Sequence, residues 1–462
     1  MDFIPHTEAE SREMLADIGV SGIHDLVKHL PLISGDLKIP QGMCEGEALR
    51  LMHEFAMKNQ APGKLISYLG AGAYEHFSPS AIPAILTRGE FLTSYTPYQP
   101  EVSQGTLQAL FEFQSLICEL FAMDVANAGM YEGASALAEA VLLALRETGR
   151  KEVLVPCSLH PDYRAILNTY TSGIGVKLID IPYLFTPRPS GGEGGSEGWL
   201  SRQGTLDIQF VAAHTGPNTA AVIVQNPNFF GIVEPVEKIA ALTEAAGALY
   251  IASVNPLSLG LLTPPGEYGA DIAVAEGQPL GAAEGYGGPY LGLFACKSKW
   301  LRKMPGRLVG QTVDVDGRRA FVLTLQAREQ HIRREKATSN VCTTTALVGL
   351  GATIYLSLLG KQGLREAASQ NLAKSHYAFK QLTQIPGVRA TFSAPFFNEF
   401  VIQTRLPAEI LQQKLLAKNI IGGLPLKKWH PELEHSSLWC VTETKTKADI
   451  DALARATKEA LG

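Results

Sequence analysis

Short apolar runs of β-type residues alternate with stretches of helical periodicity from Lys151 to Cys296. The clearest strand–helix–strand unit has its two apolar runs at residues 221–224 and 249–251. Between them, residues 235–242 have apolar positions that fit an amphipathic helix that begins with a proline. Repeated strand–helix–strand units build a mostly parallel sheet with helices on both faces, and such sheets bind ligands beyond the carboxyl ends of their strands. The pattern therefore predicts a layered α/β domain. Its predicted strands are residues 153–155, 176–179, 221–224, 249–251, 272–274 and 291–294.

Helical patterns flank this alternation on both sides. After Ser103, apolar residues recur at three- and four-residue spacing, which predicts a core helix whose first free amides bond to the Ser103 side chain. The other predicted elements are helices at 134–145, 346–382 and 449–461 and a β-type run at 400–403. We predict an acidic helical arm at 1–68, a large domain at 69–328, and an interdomain segment with a small C-terminal α/β domain at 329–462.

Several classes of protein lack support in the sequence. A net charge of -5 excludes a nucleic-acid polycation, and the longest apolar stretch, 347–360, is shorter than the ~20 residues of a bilayer span. There is no nucleotide-binding P-loop, dinucleotide fingerprint or H-x-x-x-H pair. The six cysteines form no C-x-x-C pair, which argues against a disulfide framework or a zinc site. With an acidic rather than basic start, we expect a cytoplasmic protein with no metal, membrane or nucleic-acid partner.

The first candidate cluster is the aromatic loop, residues 95–101, just before the predicted core helix. It holds Tyr95, Tyr98 and Gln99 together with two prolines. One interpretation is a rigid helix-entry loop with packed rings, and the other is a loop that presents phenols and an amide to a ligand cleft.

The second candidate cluster is the basic segment, residues 328–340, at the junction of the two predicted domains. Residues 297–336 carry eleven Lys or Arg against four Asp or Glu, a net charge of +7. Such a patch attracts anionic ligands or partners, and domain junctions are frequent ligand sites. The alternative is a solvated or salt-bridged interdomain helix. The glycine-rich stretch 190–198 predicts a mobile surface loop without a catalytic role.

The clusters lie within segments that closely resemble a known family. The segments are 5–15 (PHTEAESREML), 69–83 (LGAGAYEHFSPSAIP), 90–114 (EFLTSYTPYQPEVSQGTLQALFEFQ), 127–140 (NAGMYEGASALAEA), 304–310 (MPGRLVG) and 328–340 (REQHIRREKATSN). They resemble the glycine dehydrogenase (decarboxylating) P protein of the glycine cleavage system, in particular its N-terminal half, a separate alpha subunit or subunit 1 in many bacteria. The resemblance extends over nearly the whole chain.

The resemblance implies a fold type I pyridoxal-phosphate-enzyme-like architecture, with a mostly parallel seven-stranded-type sheet in a large domain and a smaller C-terminal α/β domain. It also implies a reaction in which glycine loses carbon dioxide and its aminomethyl group passes to the lipoyl arm of the H protein. Such an enzyme must supply an imine-forming lysine, a partner for the pyridine nitrogen and donors for the phosphate.

This sequence departs from that set of groups. Residues 239–296 contain no lysine, and Gln278 or Pro279 stands near the place expected for the imine-forming residue. The preceding strand should offer an aspartate to the pyridine nitrogen, yet it offers Ala252 and Ser253. A neutral hydroxyl cannot stabilise a pyridinium as a carboxylate does. The resemblance therefore predicts no catalytic lysine in this chain and inactivity when it is alone.

The family's beta subunit, or subunit 2, retains the lysine, and we expect this chain to pair with it in an α₂β₂ assembly that holds pyridoxal phosphate in the beta subunit at the shared interface. The residues predicted to form a wall of the glycine site or the interface are Tyr95, Tyr98, Gln99, Arg333, Arg334, Lys336, Thr338, Ser339 and Asn340.

Two alternatives stay open at this point. The chain could be an independent enzyme that uses Lys297 or Lys299, or a silent scaffold that only stabilises the beta subunit.

His76 is expected to be a hydrogen-bonded structural residue.

Overall fold

The computed structural model describes residues 5–31, 39–59, 65–186 and 201–462. Its strands are β1 (Ile66–Ser67), β2 (Val125–Ala126), β3 (Glu152–Pro156), β4 (Lys177–Ile181), β5 (Tyr183–Thr186), β6 (Ser201–Leu206), β7 (Thr219–Asn226), β8 (Leu249–Val254), β9 (Ile272–Glu276), β10 (Gly292–Cys296), β11 (Leu308–Val313), β12 (Arg319–Thr324), β13 (Val388–Ala390), β14 (Glu399–Thr404), β15 (Ile420–Ile421), β16 (Leu424–Pro425) and β17 (Ser436–Cys440). Its helices are α1 (Glu8–Ile18), α2 (Ile23–Val27), α3 (Glu45–Lys58), α4 (Ala81–Leu86), α5 (Gly89–Leu92), α6 (Gln104–Phe121), α7 (Gly133–Thr148), α8 (Pro161–Thr171), α9 (Ile208–His214), α10 (Val236–Ala245), α11 (Gln330–Arg333), α12 (Ala346–Thr383), α13 (Ala408–Leu416) and α14 (Lys447–Leu461).

The alternating runs form one seven-stranded sheet with the order β2-β10-β9-β8-β7-β3-β4. Strands β4, β3, β7, β8 and β9 are parallel, and β10 runs antiparallel to β9 and β2. Each predicted strand lies in this sheet, so the predicted α/β fold class is confirmed. Strand β2 was not predicted, because its two residues are too short for a periodic signal.

Helices cover both faces of the sheet. Residues of α6, α10 and α12 pack with the sheet in one core, and residues of α7 and α8 pack with its other face in a second core. Eleven of the sixteen residues of α7 are buried, as expected for a helix between a sheet and further structure.

The helix predicted after Ser103 is α6, but the predicted cap is wrong. The Ser103 side chain makes no capping hydrogen bond, and its backbone (φ -126°, ψ 18°) is outside the extended conformation that an N-cap needs. The side-chain amide nitrogen of Gln104 instead donates to the backbone carbonyls of Pro100 and Phe321, at 2.7 and 2.9 Å. This fixes the start of α6 against the β11–β12 hairpin.

The C-terminal elements form a smaller sheet with the order β13-β14-β17-β16, packed with α13 and α14. Helix α12 links it to the large sheet and changes direction at Gly360, whose φ of 57° suits glycine. Three backbone hydrogen bonds also join the two parts: Val233 to Pro395, Ala394 to Gln203 and Phe397 to Gly231, at 2.8, 3.2 and 3.1 Å. The boundary at residue 328 stays a prediction.

The chain divides into two units, residues 1–61 and 62–462. In the first unit, helices α1, α2 and α3 have no buried residue. They lie where a helical arm was predicted, and the boundary at residue 68 also stays a prediction. Strand β1 pairs with β15 of the C-terminal part.

No helix among the described residues is long and apolar enough to cross a bilayer. The glycine-rich stretch 190–198 lies outside the described residues.

Candidate functional site

A small polar pocket lies where the parallel strands end. It offers about 40 Å³ to the centres of water molecules, which is room for roughly three of them. Its position at the carboxyl ends of β7, β8 and β9 is where sheets of this kind bind ligands. The lining residues are Gly72, Tyr74, His160, Tyr163, Gln225, Pro227, Ser253, Val254, Asn255, Pro256, Glu276, Pro279, Asn398 and Glu399.

Gln278, predicted near the place of an imine-forming lysine, is a buried structural residue. Its amide oxygen accepts from the backbone N–H of Tyr74 at 3.0 Å, and its amide nitrogen donates to the carbonyls of Tyr74 and Ala282 at 3.0 and 2.9 Å. Pro279 follows it and lines the pocket. Neither residue carries an amine, and Gln278 has its hydrogen-bonding groups engaged within the chain.

Ser253 lies in the pocket wall near the end of β8, whereas Ala252 is buried within the sheet. Across the pocket, His160 is held by two bonds: Nε2 meets the carbonyl of Ala71 at 2.7 Å, and Nδ1 accepts from the N–H of Asp162 at 3.1 Å. This arrangement puts the proton on Nε2, and burial lowers the pKa of His160. The pocket therefore presents a neutral imidazole and a hydroxyl.

A carboxylate from the small domain, that of Glu399, lines the pocket. Glu399, at the start of β14, accepts from the N–H of Ala71 at 2.7 Å and from the hydroxyl of Tyr74 at 2.9 Å. Burial raises the pKa of Glu399 to about 7. The segment before α4 is thus fixed to the small domain by a buried acid.

Carboxylates also occupy the start of α7, the helix that begins at the pocket. The N–H of Gly133 donates to Glu276 at 2.9 Å, and those of Ala134 and Ser135 donate to Glu132 at 2.6 and 3.0 Å. Helix N-terminal amides are the groups that bind phosphate in many proteins. In this chain they are bonded to the chain's own side chains.

The residues present do not fit bound pyridoxal phosphate. Within the pocket lining there is no amine for an imine, Ser253 offers a hydroxyl rather than a carboxylate to the pyridine nitrogen, and the first amides of α7 are bonded to the chain's own side chains. Without an amine in the lining, no imine with the coenzyme can form in this pocket.

The alternative lysines lie at the other end of the sheet. Lys297 and Lys299 both pair with Asp271, at 3.0 and 3.2 Å. Asp271 precedes β9, and the pocket lies past the end of β9, so about five residues of strand, or about 16 Å, separate them. The geometry gives no support to an independent enzyme that uses either lysine.

The aromatic loop is exposed at its tyrosines. Tyr95 is 76% and Tyr98 45% exposed, and Gln99 is also exposed. Thr96 bonds to Thr343 at 3.1 Å, and the Tyr98 ring lies edge-on to His331 at 5.7 Å. The fold therefore brings the aromatic loop into contact with the basic segment and the residues that follow it. The sequence patterns of the two clusters did not predict this contact.

Arg307 joins the two clusters. Its guanidinium lies over the Tyr98 ring, 4.6 Å from the centroid, and donates to the Tyr98 hydroxyl, the Cys342 carbonyl and the Glu329 carboxylate. Arg307 and Glu329 are only 1% and 6% exposed. This buried ion pair therefore fixes both loops to the large domain.

The predicted wall residues of the basic segment are mostly exposed. Arg333, Arg334, Lys336 and Asn340 are exposed and Thr338 is half-buried. Among the described residues, none of the three cations pairs with an acidic side chain, so this part of the segment is solvated rather than salt-bridged, and both the wall and the solvated helix stay predictions. Ser339 differs, because its hydroxyl donates to the buried Glu139 of α7 at 2.7 Å.

Sequence reasoning missed Arg307, Glu276 and Glu132. Arg307 lies in the quoted segment MPGRLVG and Glu132 in NAGMYEGASALAEA, so the resemblance was the available signal for both. Glu276 had no such signal. His76 bonds Glu443 at 2.8 Å with its side chain 3% exposed, as expected of a structural residue.

The chain is similar to proteins of one family over its whole length. A family model described as Glycine cleavage system P-protein matches residues 1–456. The probable glycine dehydrogenase (decarboxylating) subunit 1 of Moorella thermoacetica is 50% identical over 459 residues, covering 99% of each chain, and that of Desulfitobacterium hafniense is 48% identical over 456 residues, covering 98% of each. A crystal structure of glycine decarboxylase (P-protein) of the glycine cleavage system, in inhibitor-bound form, matches 100% of both chains with a TM-score of 0.86 and 44% identity. A sphingosine-1-phosphate lyase of Burkholderia pseudomallei shares the fold, with a TM-score of 0.65, 13% identity and coverage of 95% and 94%.

Proposed function

The chain belongs to the glycine cleavage system P-protein family, and from that membership we propose that it is the half of a split glycine decarboxylase that works only with a lysine-bearing subunit 2. Together the two subunits decarboxylate glycine and transfer its aminomethyl group to the lipoyl arm of the H protein. Subunit 2 holds pyridoxal phosphate at the shared interface, where the coenzyme supplies the electron sink for decarboxylation.

The observation that carries this proposal is the contrast between the two sites in the chain. The pocket at the strand ends is small, and its carboxylates and the nearby helix amides are bonded within the chain. The joined loop clusters instead leave two tyrosines exposed, together with three cations that pair with no acidic side chain in the described part of the chain. Exposed aromatic and arginine side chains are enriched at protein interfaces, which favours a role at a surface shared with a partner.

We assign the wall residues by their chemistry. Tyr95, Tyr98 and Gln99 would face the glycine site or the lipoyl channel, where phenols and an amide can orient a small polar substrate. Arg333, Arg334 and Lys336 would attract a carboxylate or phosphate. Thr338, Ser339 and Asn340 would add neutral hydrogen-bonding groups beside them.

The direct test is the exchange of bicarbonate into the carboxyl group of glycine. We expect no exchange by the purified chain, because it has no amine in the pocket, and exchange when the lysine-bearing subunit is added. Separate measurement of subunit 2 alone completes the comparison. Exchange by this chain alone, abolished by borohydride reduction of one of its own lysines, would refute the proposal.

The wall assignment is tested by Tyr98→Phe in the reconstituted enzyme. We expect the exchange rate to fall by about tenfold, since the hydroxyl bonded to Arg307 is lost and hydrogen bonds to charged groups contribute about 1.5–3 kcal/mol. Arg333→Ala is expected to raise the KM for glycine. Both variants should still assemble with subunit 2, as judged by size-exclusion chromatography.

Matched controls are Tyr286→Phe, at a tyrosine that is 97% exposed, and Arg365→Ala, at an exposed arginine of α12. Neither should change the rate or KM. If Tyr98→Phe and Arg333→Ala also leave exchange unaltered with assembly intact, the chain is a scaffold rather than a wall of the site.

A further inference from the structure

The first turn of α7 has a complete set of internal acceptors. A helix leaves its first four N–H groups without partners inside the helix. Here the N–H of Glu132, the N-cap residue, donates to the Ser135 hydroxyl at 3.4 Å, that of Gly133 donates to the side chain of Glu276, and those of Ala134 and Ser135 donate to the side chain of Glu132. Every donor that could meet a ligand oxygen is bonded.

Glu276 binds three backbone amides from three parts of the chain. Besides Gly133, it accepts from the N–H of Gln278 at 2.9 Å and from that of Leu291 at 3.1 Å. One carboxylate at the end of β9 thus gathers donors from a helix start, its own turn and the approach to β10. Phosphate oxygens are held in this way in anion-binding sites.

The space beside the first residue of α7 is also filled. A Cβ atom placed on Gly133 would lie 2.1 Å from the Tyr163 hydroxyl oxygen and 2.9 Å from the Glu276 backbone nitrogen. Real Cβ atoms are not found so close to other atoms, so the start of α7 is packed directly against α8 and β9 on that side.

The electrostatic surroundings of Glu276 also disfavour a phosphate at this helix end. Burial, with a contribution from the nearby Glu132, raises the pKa of Glu276 to about 7, although its three amide bonds oppose the rise. Burial is the main cause of the raised pKa, and the charge of Glu132 is the smallest one. A phosphate there would place a further negative charge in this desolvated region, which is unfavourable.

We propose that Glu132 and Glu276 close this pocket to phosphorylated coenzymes, because their side-chain oxygens already accept the N–H groups at the N-terminus of α7 that a phosphate would need. The missing lysine alone would only prevent the covalent link. The two glutamates also remove the non-covalent phosphate site, so the chain has no affinity for the coenzyme or for inorganic phosphate there. This inference concerns the isolated chain and stands whether or not the chain works with a partner.

The experiment measures binding of inorganic phosphate and of pyridoxal 5′-phosphate to the purified chain by equilibrium dialysis. The variants are Glu132→Ser, Glu276→Ala and the two combined, with Glu284→Ala as the control that removes an exposed acidic side chain from the same region. Circular dichroism confirms folding. We expect no saturable binding by the wild type or the control, saturable binding with Glu132→Ser, and binding about threefold or more tighter with the double variant than with Glu132→Ser.

Serine is a favoured N-cap residue, so Glu132→Ser is expected to fold even if Glu276→Ala does not. The gained binding should be competitive between phosphate and the coenzyme, since both need the same amides. Saturable binding of either probe by the wild type, reduced by Gly133→Ala, would overturn the proposal. So would a folded Glu132→Ser or double variant that binds phosphate no better than the wild type. Neither result depends on glycine exchange by the two-subunit enzyme.

Discussion

Replacement of Arg307 by methionine is expected to lower the free energy of unfolding by about 3–5 kcal/mol, the usual effect of removing one partner of a buried ion pair. Arg307 is 1% exposed and Glu329 6%, so the substitution removes the guanidinium from a carboxylate in the interior, whose other ionisable neighbour is the half-exposed His331 ring at 3.4 Å. It also removes the donors to Tyr98 and to the Cys342 carbonyl. Urea unfolding of the purified chain measures the effect.

A second substitution separates charge from packing. In the variant Arg307→Met with Glu329→Gln no charge is stranded, and we expect it to recover a large part of the lost stability. The matched control is Arg318→Met, because Arg318 and Asp316 form an exposed pair, with side chains 77% and 61% exposed. Exposed pairs contribute about 0–1 kcal/mol. If Arg307→Met destabilises the chain no more than this control, the buried pair does not hold the loops.

The stability of the chain is expected to fall as the pH rises from about 5 to about 8.5. Burial raises the pKa of Glu276 and Glu399 to about 7 and that of Glu234 to about 8. A group whose pKa is higher in the folded than in the unfolded chain favours folding when protonated. That contribution is complete below the ordinary glutamate value and is lost as the pH rises through 7 to 8. For a carboxyl group shifted to about 7 the loss is about 3 kcal/mol.

Glu399→Gln tests the contribution of one of these groups. Glutamine has the shape of a protonated glutamate, its oxygen can accept from Ala71, and its amide can donate to the Tyr74 hydroxyl. We expect similar stability to the wild type at pH 5.5 and greater stability at pH 8.5, so that the curve of unfolding free energy against pH is flatter. Glu267→Gln, at an exposed position, should leave the curve unchanged. A parallel shift of the Glu399→Gln curve at all pH values would contradict the assignment.

The sheet could be read from the sequence because a central parallel strand is buried on both faces. In β7, seven of the eight residues are buried, so the strand appears as a continuous apolar run that length and neighbouring turns distinguish from a helix. The cap at Ser103 could not be predicted, since the competing bonds of Gln104 come from Phe321, 217 positions away.

The site was predictable only in what it lacks. The absent lysine and the serine in place of an aspartate are visible residue by residue. The roles of Arg307 and Glu276 depend on partners distant in the chain: Arg307 binds groups 209, 35 and 22 positions away, and Glu276 binds an amide 143 positions away. Residue type and local pattern carry no signal for such contacts.

The bonds between the large and small domains restrict how this chain can move. Rotation of the small domain would withdraw Glu399 from Ala71 and Tyr74 and would break the backbone bonds at Gly231 and Val233. Such a hinge motion would leave a buried acid without donors, so the two domains are expected to behave as one stiff body. If access to the pocket needs an opening movement, the moving element is then one of the exposed loops, and these two domains are the stationary side against which it closes.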